Sequence, residues 1–316
     1  MNNDEIISVT LNPALDRTMR FNTFLPGELN RAVDTSLSAG GKGINLSRML
    51  KKCGVNSPAF GFAGGRCGRI ICDVLREEGI DTRFTETVSE TRMNIKIITD
   101  NGETTEANET GGPIESGELD TLCNALYKST GSGKLVVLGG SIPQGVDKSV
   151  YNSIIKELKK RGARTILDCD GEALIHGIEA KPCLIKPNNK ELSNYLGKKI
   201  ETITEAVEGA ACLYVDKSVE ILCTLGKSGA VFAGKDGLYT VSSPVVEMKS
   251  FAGAGDAFLA AFLYMREHTG SIPEALRFAA SAAAVKVTLK GTIFPERADM
   301  ARYCHLAVVC GPLKHT

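Results

Sequence analysis

The sequence predicts an α/β fold: a doubly wound, mostly parallel sheet with helices on both faces, and a small β lid beside it. Three observations carry this. Short β-branched, apolar runs alternate along the chain with stretches of helical period. The runs do not alternate apolar with polar residues, which suits strands covered on both faces. Two polar segments, 16–39 and 90–109, break the rhythm and suit a separate layer. No internal repeat or low-complexity linker divides the 316 residues, so we read one domain over 1–316 with an inserted flap.

Taken in order, EIISVTL (5–11) reads as the first strand, and GINLSRMLKKCG (43–54) as a helix closed by Gly54. SPAFGFAG (57–64) is strand-like, and GRIICDVLREEGI (68–80) is helical. KLVVLGG (134–140), RTILDCD (164–170), CLIKPN (183–188) and VEILCTLG (219–226) continue the strands, with KSVYNSIIKELKKRG (148–162) as a helix between the first two. Segments 16–39 and 90–109 look like hairpins, the second turning at D-N-G (100–102). They are too polar for a sheet covered on both faces, so a small separate sheet over one edge of the core is expected.

Composition excludes several functions. Lys and Arg total 37, as do Asp and Glu, so nothing suggests a general nucleic-acid or membrane surface. The ten cysteines are scattered singly, without C-x-x-C pairs, and there are four histidines, so zinc spacing is absent. Cys72, Cys169, Cys212 and Cys223 stand among apolar or small residues and read as buried thiols. The start, MNNDEIISVTLNP, has no apolar signal core, and no run reaches the roughly 18 apolar residues of a membrane span. A cytoplasmic protein is expected.

Ligands of an open α/β sheet bind beyond the carboxyl ends of its strands, so residues just after strands are the informative ones. TLGKSGA (224–230) imitates the phosphate loop G-x-x-x-x-G-K-S/T, but Ile221 stands where its first glycine belongs. Neither SAGGKGIN (38–45) nor GFAGGRCG (61–68) gives the G-x-G-x-x-G dinucleotide fingerprint. KSFAGAGDAFLAAFLYM (249–265) offers another route. A helix starting near Ala254 has unpaired amides and the positive end of its dipole at the mouth, and Gly253 and Gly255 let a phosphate approach closely. Asp256 in that first turn could accept the proton of an attacking hydroxyl, or could simply stabilise the helix dipole.

Other residues are weaker singly. Lys42, beside Gly41, could meet an anionic substrate, and Asn45 could bind sugar hydroxyls. Asp16 could accept bonds from vicinal hydroxyls or serve a turn. Arg92 and Asn94, two apart on one strand face, suit a phosphate contact or solvent. Asn188 and Glu191, three apart at a helix start, could hold a hydrated magnesium ion or form a capping box.

Together these residues resemble the ribokinase-like carbohydrate kinases of the phosphofructokinase-B type. TLNPALDRT, AGGKGIN, ETRMNIK, GSIPQG, LDCDGEAL, KPNNKEL, TLGKSGA and GAGDAF each answer to a family motif, in the family's order and over nearly the whole chain. TLNPALD, GELNRAVDTSLSAGGKGIN and ETRMNIK look most like the branch with 1-phosphofructokinase and tagatose-6-phosphate kinase. The resemblance implies transfer of the ATP γ-phosphoryl group to a primary hydroxyl of a ketohexose phosphate, with magnesium. It makes Asp256 the base and Gly253, Ala254 and Gly255 the anion hole. It puts Asp16, Gly41, Lys42, Asn45, Arg92, Asn94 and Ser141 at the sugar phosphate. Lys186, Asn188, Thr224, Gly226 and Gly229 fall at ATP, and Asn188, Glu191 and Asp168 near the metal. The hairpins become a lid that closes over the sugar and pairs two subunits as a homodimer.

Two departures stand out. Asp170 replaces the serine usual in close relatives and adds negative charge, and Phe251-Ala252 replaces a Val-Gly or Thr-Gly entry to the turn. Fructose 1-phosphate is the expected acceptor, with tagatose 6-phosphate second. Arg92, Lys42 and Arg31 weigh against an unphosphorylated sugar, and the intact glycine turns and Asp256 against a non-catalytic sensor.

Overall fold

The computed structural model describes residues 6–291 and 293–313. Glu5, where the sequence reading starts the first strand, lies outside the described residues, as do residues 1–4 of the N-terminal stretch read for a signal. The first element among the described residues is β1 (Ile6–Thr10), after which the chain leaves the main sheet for β2 (Ala14–Phe21) and β3 (Asp34–Gly40). It returns through α1 (Lys42–Lys52), β4 (Ala59–Gly64), α2 (Gly65–Glu77) and β5 (Thr82–Thr87). The second excursion is β6 (Arg92–Thr99) and β7 (Thr104–Asn108). Regular alternation resumes with α3 (Ser116–Ser129), β8 (Leu135–Gly139), α4 (Val150–Lys160), β9 (Arg164–Asp168), α5 (Gly171–Ile178) and β10 (Leu184–Ile185). Two helices follow, α6 (Asn189–Leu196) and α7 (Ile203–Lys217), then β11 (Glu220–Thr224), β12 (Ala230–Gly234) and β13 (Gly237–Val241). Last come α8 (Ala254–Thr269), α9 (Ile272–Thr288), α10 (Arg297–Tyr303) and β14 (Val309–Leu313).

The main sheet has ten strands in the order β14-β13-β12-β11-β10-β9-β8-β1-β4-β5. From β11 to β5 every pairing is parallel, and β12, β13 and β14 extend the sheet antiparallel. The order reverses at β1: the chain first adds β4 and β5 on one side, then β8 to β11 on the other. This switch point opens the crevice where α/β ligands bind.

The strands read as continuous apolar runs because both faces are buried. Val136 and Leu138 of β8 join the core under α4 and α5, whereas Leu135 and Val137 join the core under α1, α8 and α9. Each such side chain contributes about 1.5–3 kcal/mol when fully buried. The body of α8, Ala257 to Tyr264, is wholly buried, packed on α9, whose alanines Ala275, Ala279 and Ala282 let the two helices approach closely. Among the described residues no helix is long and apolar enough to cross a membrane.

The two polar segments form one four-stranded sheet, β3-β2-β6-β7. Each is a hairpin, and β2 and β6 join them in parallel. Leu15, Met93 and Ala39 face α2 and pack with Ile71 and Leu75, while Asp16 and Asn94 pair on the opposite face. The thiol reading needs one correction. Cys169 and Cys223 are buried, but Cys212 is exposed and Cys72 partly so. Both lie on helices, α7 and α2, where apolar sequence neighbours turn inward and leave the next residue outside.

Candidate active site

At the N-terminus of α8, Gly253 adopts φ 74°, a left-handed conformation that favours glycine. This caps the helix without a side chain and leaves room before the first turn. Ala254 donates its amide to Phe251 O (3.3 Å), and the following first-turn amides have no acceptor within the helix. Asp256 occupies the third helical position. Its Oδ2 accepts from Asn45 Nδ2 on α1 (2.7 Å). Burial pushes the Asp256 carboxyl above its ordinary value and Asp168 adds to this, opposed by Asn45, Lys186 and Lys42.

Asp168 ends β9 and is 1% exposed. Its Oδ1 accepts from Lys42 Nζ (2.8 Å), and Lys186 Nζ, just after β10, lies 3.2 Å from Oδ2. Burial alone would raise Asp168, but Lys186 and Lys42 outweigh it and hold the carboxyl below the usual range. Burial works against the Lys42 ammonium too, yet Asp168 and Glu191 keep it above its ordinary value. So Lys42 arrives already paired, and Asp168 is held by two ammonium groups. Lys186 also reaches the α8 turn: a Cβ on Gly255 would lie 3.6 Å from its nitrogen.

Asn188 caps α6 in a full capping box: Glu191 N donates to Asn188 Oδ1 (2.9 Å) and Asn188 N to Glu191 Oε2 (2.8 Å). The other Glu191 oxygen lies 3.7 Å from Lys42 Nζ. Thr224 bridges to Asn188 at the end of β11 and leads into the turn of Gly226 and Gly229. A Cβ on Gly229 would sit 1.9 Å from Val241 O, so this glycine is required for packing against β13. Gly41 is similar, since its Cβ would meet the Thr10 side chain at 2.6 Å.

The lid brings Asp16, Asn94 and Lys96 together. Asp16 Oδ1 accepts from Asn94 Nδ2 and Oδ2 from Lys96 Nζ, each at 2.9 Å. Arg92 lies at the lid's root, fastened to the carbonyls of Asn12 (3.0 Å), Glu109 (3.3 Å) and Pro13 (3.4 Å). Burial lowers its guanidinium from the ordinary value, partly offset by Asp16. Asn12 Nδ2 donates to Ser141 Oγ (3.1 Å) after β8. Arg31 lies exposed between β2 and β3, and Asp170 is an exposed N-cap of α5.

Lys96 is absent from the sequence reading although it follows Asn94 by two and shares its strand face, a period-two signal that would have found it. Lys286 on α9, with its stem against Gly253, is missing too, and nothing in its alanine-rich surroundings singles it out.

The whole of this arrangement falls within a match to the pfkB family carbohydrate kinase model over residues 9–299. The chain belongs to the pfkB carbohydrate kinases. It is a sugar-phosphate kinase, a phosphotransferase acting on an alcohol group. A 1-phosphofructokinase of Bacillus subtilis is 37% identical over 258 residues, covering 82% of this chain and 84% of that protein. The 1-phosphofructokinase of Escherichia coli K12 is 30% identical over 299 residues, 94% and 95% of the two chains. Among solved structures, phosphofructokinase-2 from Escherichia coli in complex with substrates and products superposes with a TM-score of 0.91 at 26% identity, covering 96% of this chain and 99% of that one.

For such a kinase the set of residues on the polar lid face and at the mouth of α8 has the needed chemistry. It holds a carboxylate that can accept a proton, amides and a lysine that can meet a phosphoryl group, and amide side chains that can bind hydroxyls.

Proposed function

We propose that this kinase transfers the γ-phosphoryl group of ATP to the C6 hydroxyl of fructose 1-phosphate, giving fructose 1,6-bisphosphate and ADP. One observation carries the acceptor class. Asn45 and Asn94 each donate to a carboxylate, Asp256 and Asp16, while their own Oδ1 atoms are buried with no partner among the described residues. Each such buried acceptor costs about 1–3 kcal/mol unless a donor arrives. A ligand rich in hydroxyl groups supplies donors at both. The curated relatives named 1-phosphofructokinase support the choice of fructose 1-phosphate.

In this reading Asp256 accepts the acceptor's hydroxyl proton as the new oxygen–phosphorus bond forms. The bond from phosphorus to the bridging oxygen breaks, and ADP leaves with its electron pair. The α8 amides of Gly255 and Asp256, with Lys186, face the transferring group, and Thr224, Gly226 and Asn188 the rest of the nucleotide. Asp16 holds sugar hydroxyls, and Arg92, Lys42 and Ser141 lie toward the acceptor's phosphate.

Magnesium fits here as a hydrated ion carried by the nucleotide. Among the described residues no three carboxylate, thiol or imidazole groups converge as a metal cage. Asn188 and Glu191 spend one oxygen each on the capping box, so they and Asp168 would hold the ion through its waters. When bound, the ion neutralises charge on the phosphates.

The reading also places the kinase in the cytoplasm and pairs two copies through the outer lid face, where Leu37 is exposed beside the half-buried Ile95 and Ile97. Sedimentation as a monomer at micromolar concentration would remove the pairing.

The deciding experiment is coupled ADP release with Mg·ATP against fructose 1-phosphate, fructose 6-phosphate, tagatose 6-phosphate, fructose and ribose. Fructose 1-phosphate is expected to show the highest kcat/KM, and dominance of another compound would reassign the acceptor. Arg92→Ala is expected to raise KM for the preferred sugar phosphate by about tenfold or more, with a smaller effect on kcat. An unchanged KM would move the acceptor's phosphate elsewhere.

A further inference from the structure

Lys286 is 0% exposed in the last turns of α9, a position where lysine is rarely left without a compensating charge. Its ammonium donates to a backbone carbonyl, Gly291 O, at 2.8 Å, and stands 5.6 Å from the centre of the Phe294 ring. The Arg48 guanidinium also contacts that ring, 5.4 Å from the same centre. The lysine's stem ends directly behind the mouth of α8. A Cβ on Gly253 would meet Lys286 Cε at 3.5 Å and the Phe294 ring at the same distance. Evolution of a stable core gives no reason to bury an ammonium there, since a methionine would fill the same volume without desolvation cost.

We infer that Lys286 is a positioning residue for phosphoryl transfer, a fixed positive charge behind Gly253 that acts on the transferring group through the first turn of α8. The inference rests on the kinase reading above. The anion hole there is made of amides, whose partial charges are strengthened by a full charge in a medium that screens poorly. Lys286 lies against Gly253 and Gly291, behind the mouth of α8, so its effect should fall on the chemical step. The same contact, through Gly291 and Phe294, sets the floor on which Gly253 turns.

The charged groups facing it are Arg48 on α1, Asp256 on α8 and Lys96 on β6. Burial, then Arg48, lower the ammonium to about 8, against the pull of Asp256. The site therefore loses this charge as pH rises through about 8.

The test is kcat against pH for the wild type and Lys286→Met, with chemical denaturation of both over the same range. In the wild type kcat should fall as pH rises through about 8. Lys286→Met should be about tenfold slower below that point, with KM for the sugar phosphate little changed and no such fall. Stability supplies a readout apart from activity. Between about 8 and the ordinary lysine value of 10.5 the folded lysine binds fewer protons than the unfolded one. The wild type should therefore gain stability relative to Lys286→Met as pH rises through that interval. A wild-type kcat that is level through about 8 overturns the inference, as does a variant with wild-type kcat or a stability difference that ignores pH. The wild-type profile decides even where the variant does not fold. An active enzyme with a level profile refutes this inference alone, whereas a wild type inactive on every sugar phosphate refutes the functional reading and this inference with it.

Discussion

Asp256→Asn is expected to lower kcat by about 10²–10⁴ while ATP binding stays nearly unchanged. The substitution keeps the size of the side chain and its acceptor toward Asn45 Nδ2, which now bonds Oδ2 at 2.7 Å. What disappears is the basic oxygen. The carboxyl is raised from its ordinary value by burial first and by Asp168 second, so it is a stronger base than a free aspartate. It must be ionised to take a proton, hence kcat in the wild type should fall as pH drops through this raised value. Asp256→Asn should remove that acid limb. The sign for stability is the opposite. A carboxyl whose folded pKa exceeds its unfolded one is held charged at a cost at neutral pH, and that cost is relieved as pH falls. Asp256→Asn should therefore unfold at no lower denaturant concentration than the wild type, which separates lost chemistry from lost structure. Turnover within a factor of two of the wild type would remove Asp256 as the base.

The elements that position this carboxylate were legible because strand ends carry the ligand residues of an α/β sheet. Asp168, Lys186 and Thr224 all follow or end buried strands, and Gly253 opens α8, whose body from Ala257 to Tyr264 is buried on every side. The faces of β8 were legible as well, since an unbroken apolar run requires burial on both. The antiparallel extension was not. Short runs such as those of β12 and β13 have the same composition as parallel strands, and pairing direction depends on connections that composition does not specify. The lid could be read as two hairpins, but the parallel seam between β2 and β6 is a contact across 78 residues, Asp16 to Asn94. Charge pairing was hidden for the same reason. Lys42 reads as a free cation until the fold brings it to Asp168, 126 positions away. Lys286 shows the limit most plainly, because its burial follows from how α9 packs and not from any residue beside it.

That hidden pairing sets the largest expected effect on stability. Asp168→Asn should destabilise the fold by about 3–5 kcal/mol, read as a shift in the denaturation midpoint at constant slope. The value is not the net worth of the ion pairs, which repay the cost of taking charges out of water only in part. It is the cost of orphaning what remains. Lys186 is itself 5% exposed, and its nitrogen lies 3.2 Å from Asp168 Oδ2, so an asparagine leaves a buried ammonium facing a neutral amide. Lys42, less buried, keeps Glu191 at 3.7 Å. The pH dependence follows from the sign of the shift. Asp168 is depressed below the carboxylate value of 3.8, burial being outweighed by Lys186 and Lys42. Its contribution is therefore fully present above that value and is lost as pH falls through the folded pKa. The gap between wild type and variant should stay constant at neutral pH and close only in strong acid. Lys186→Met added to Asp168→Asn distinguishes the two sources of the penalty. If the orphaned ammonium dominates, the double variant recovers much of the loss, giving a coupling energy of about 0.5–3 kcal/mol. If it recovers nothing, the loss lies in the bond that Asp168 Oδ1 accepts from Lys42 Nζ, and Lys186 tolerates a neutral partner.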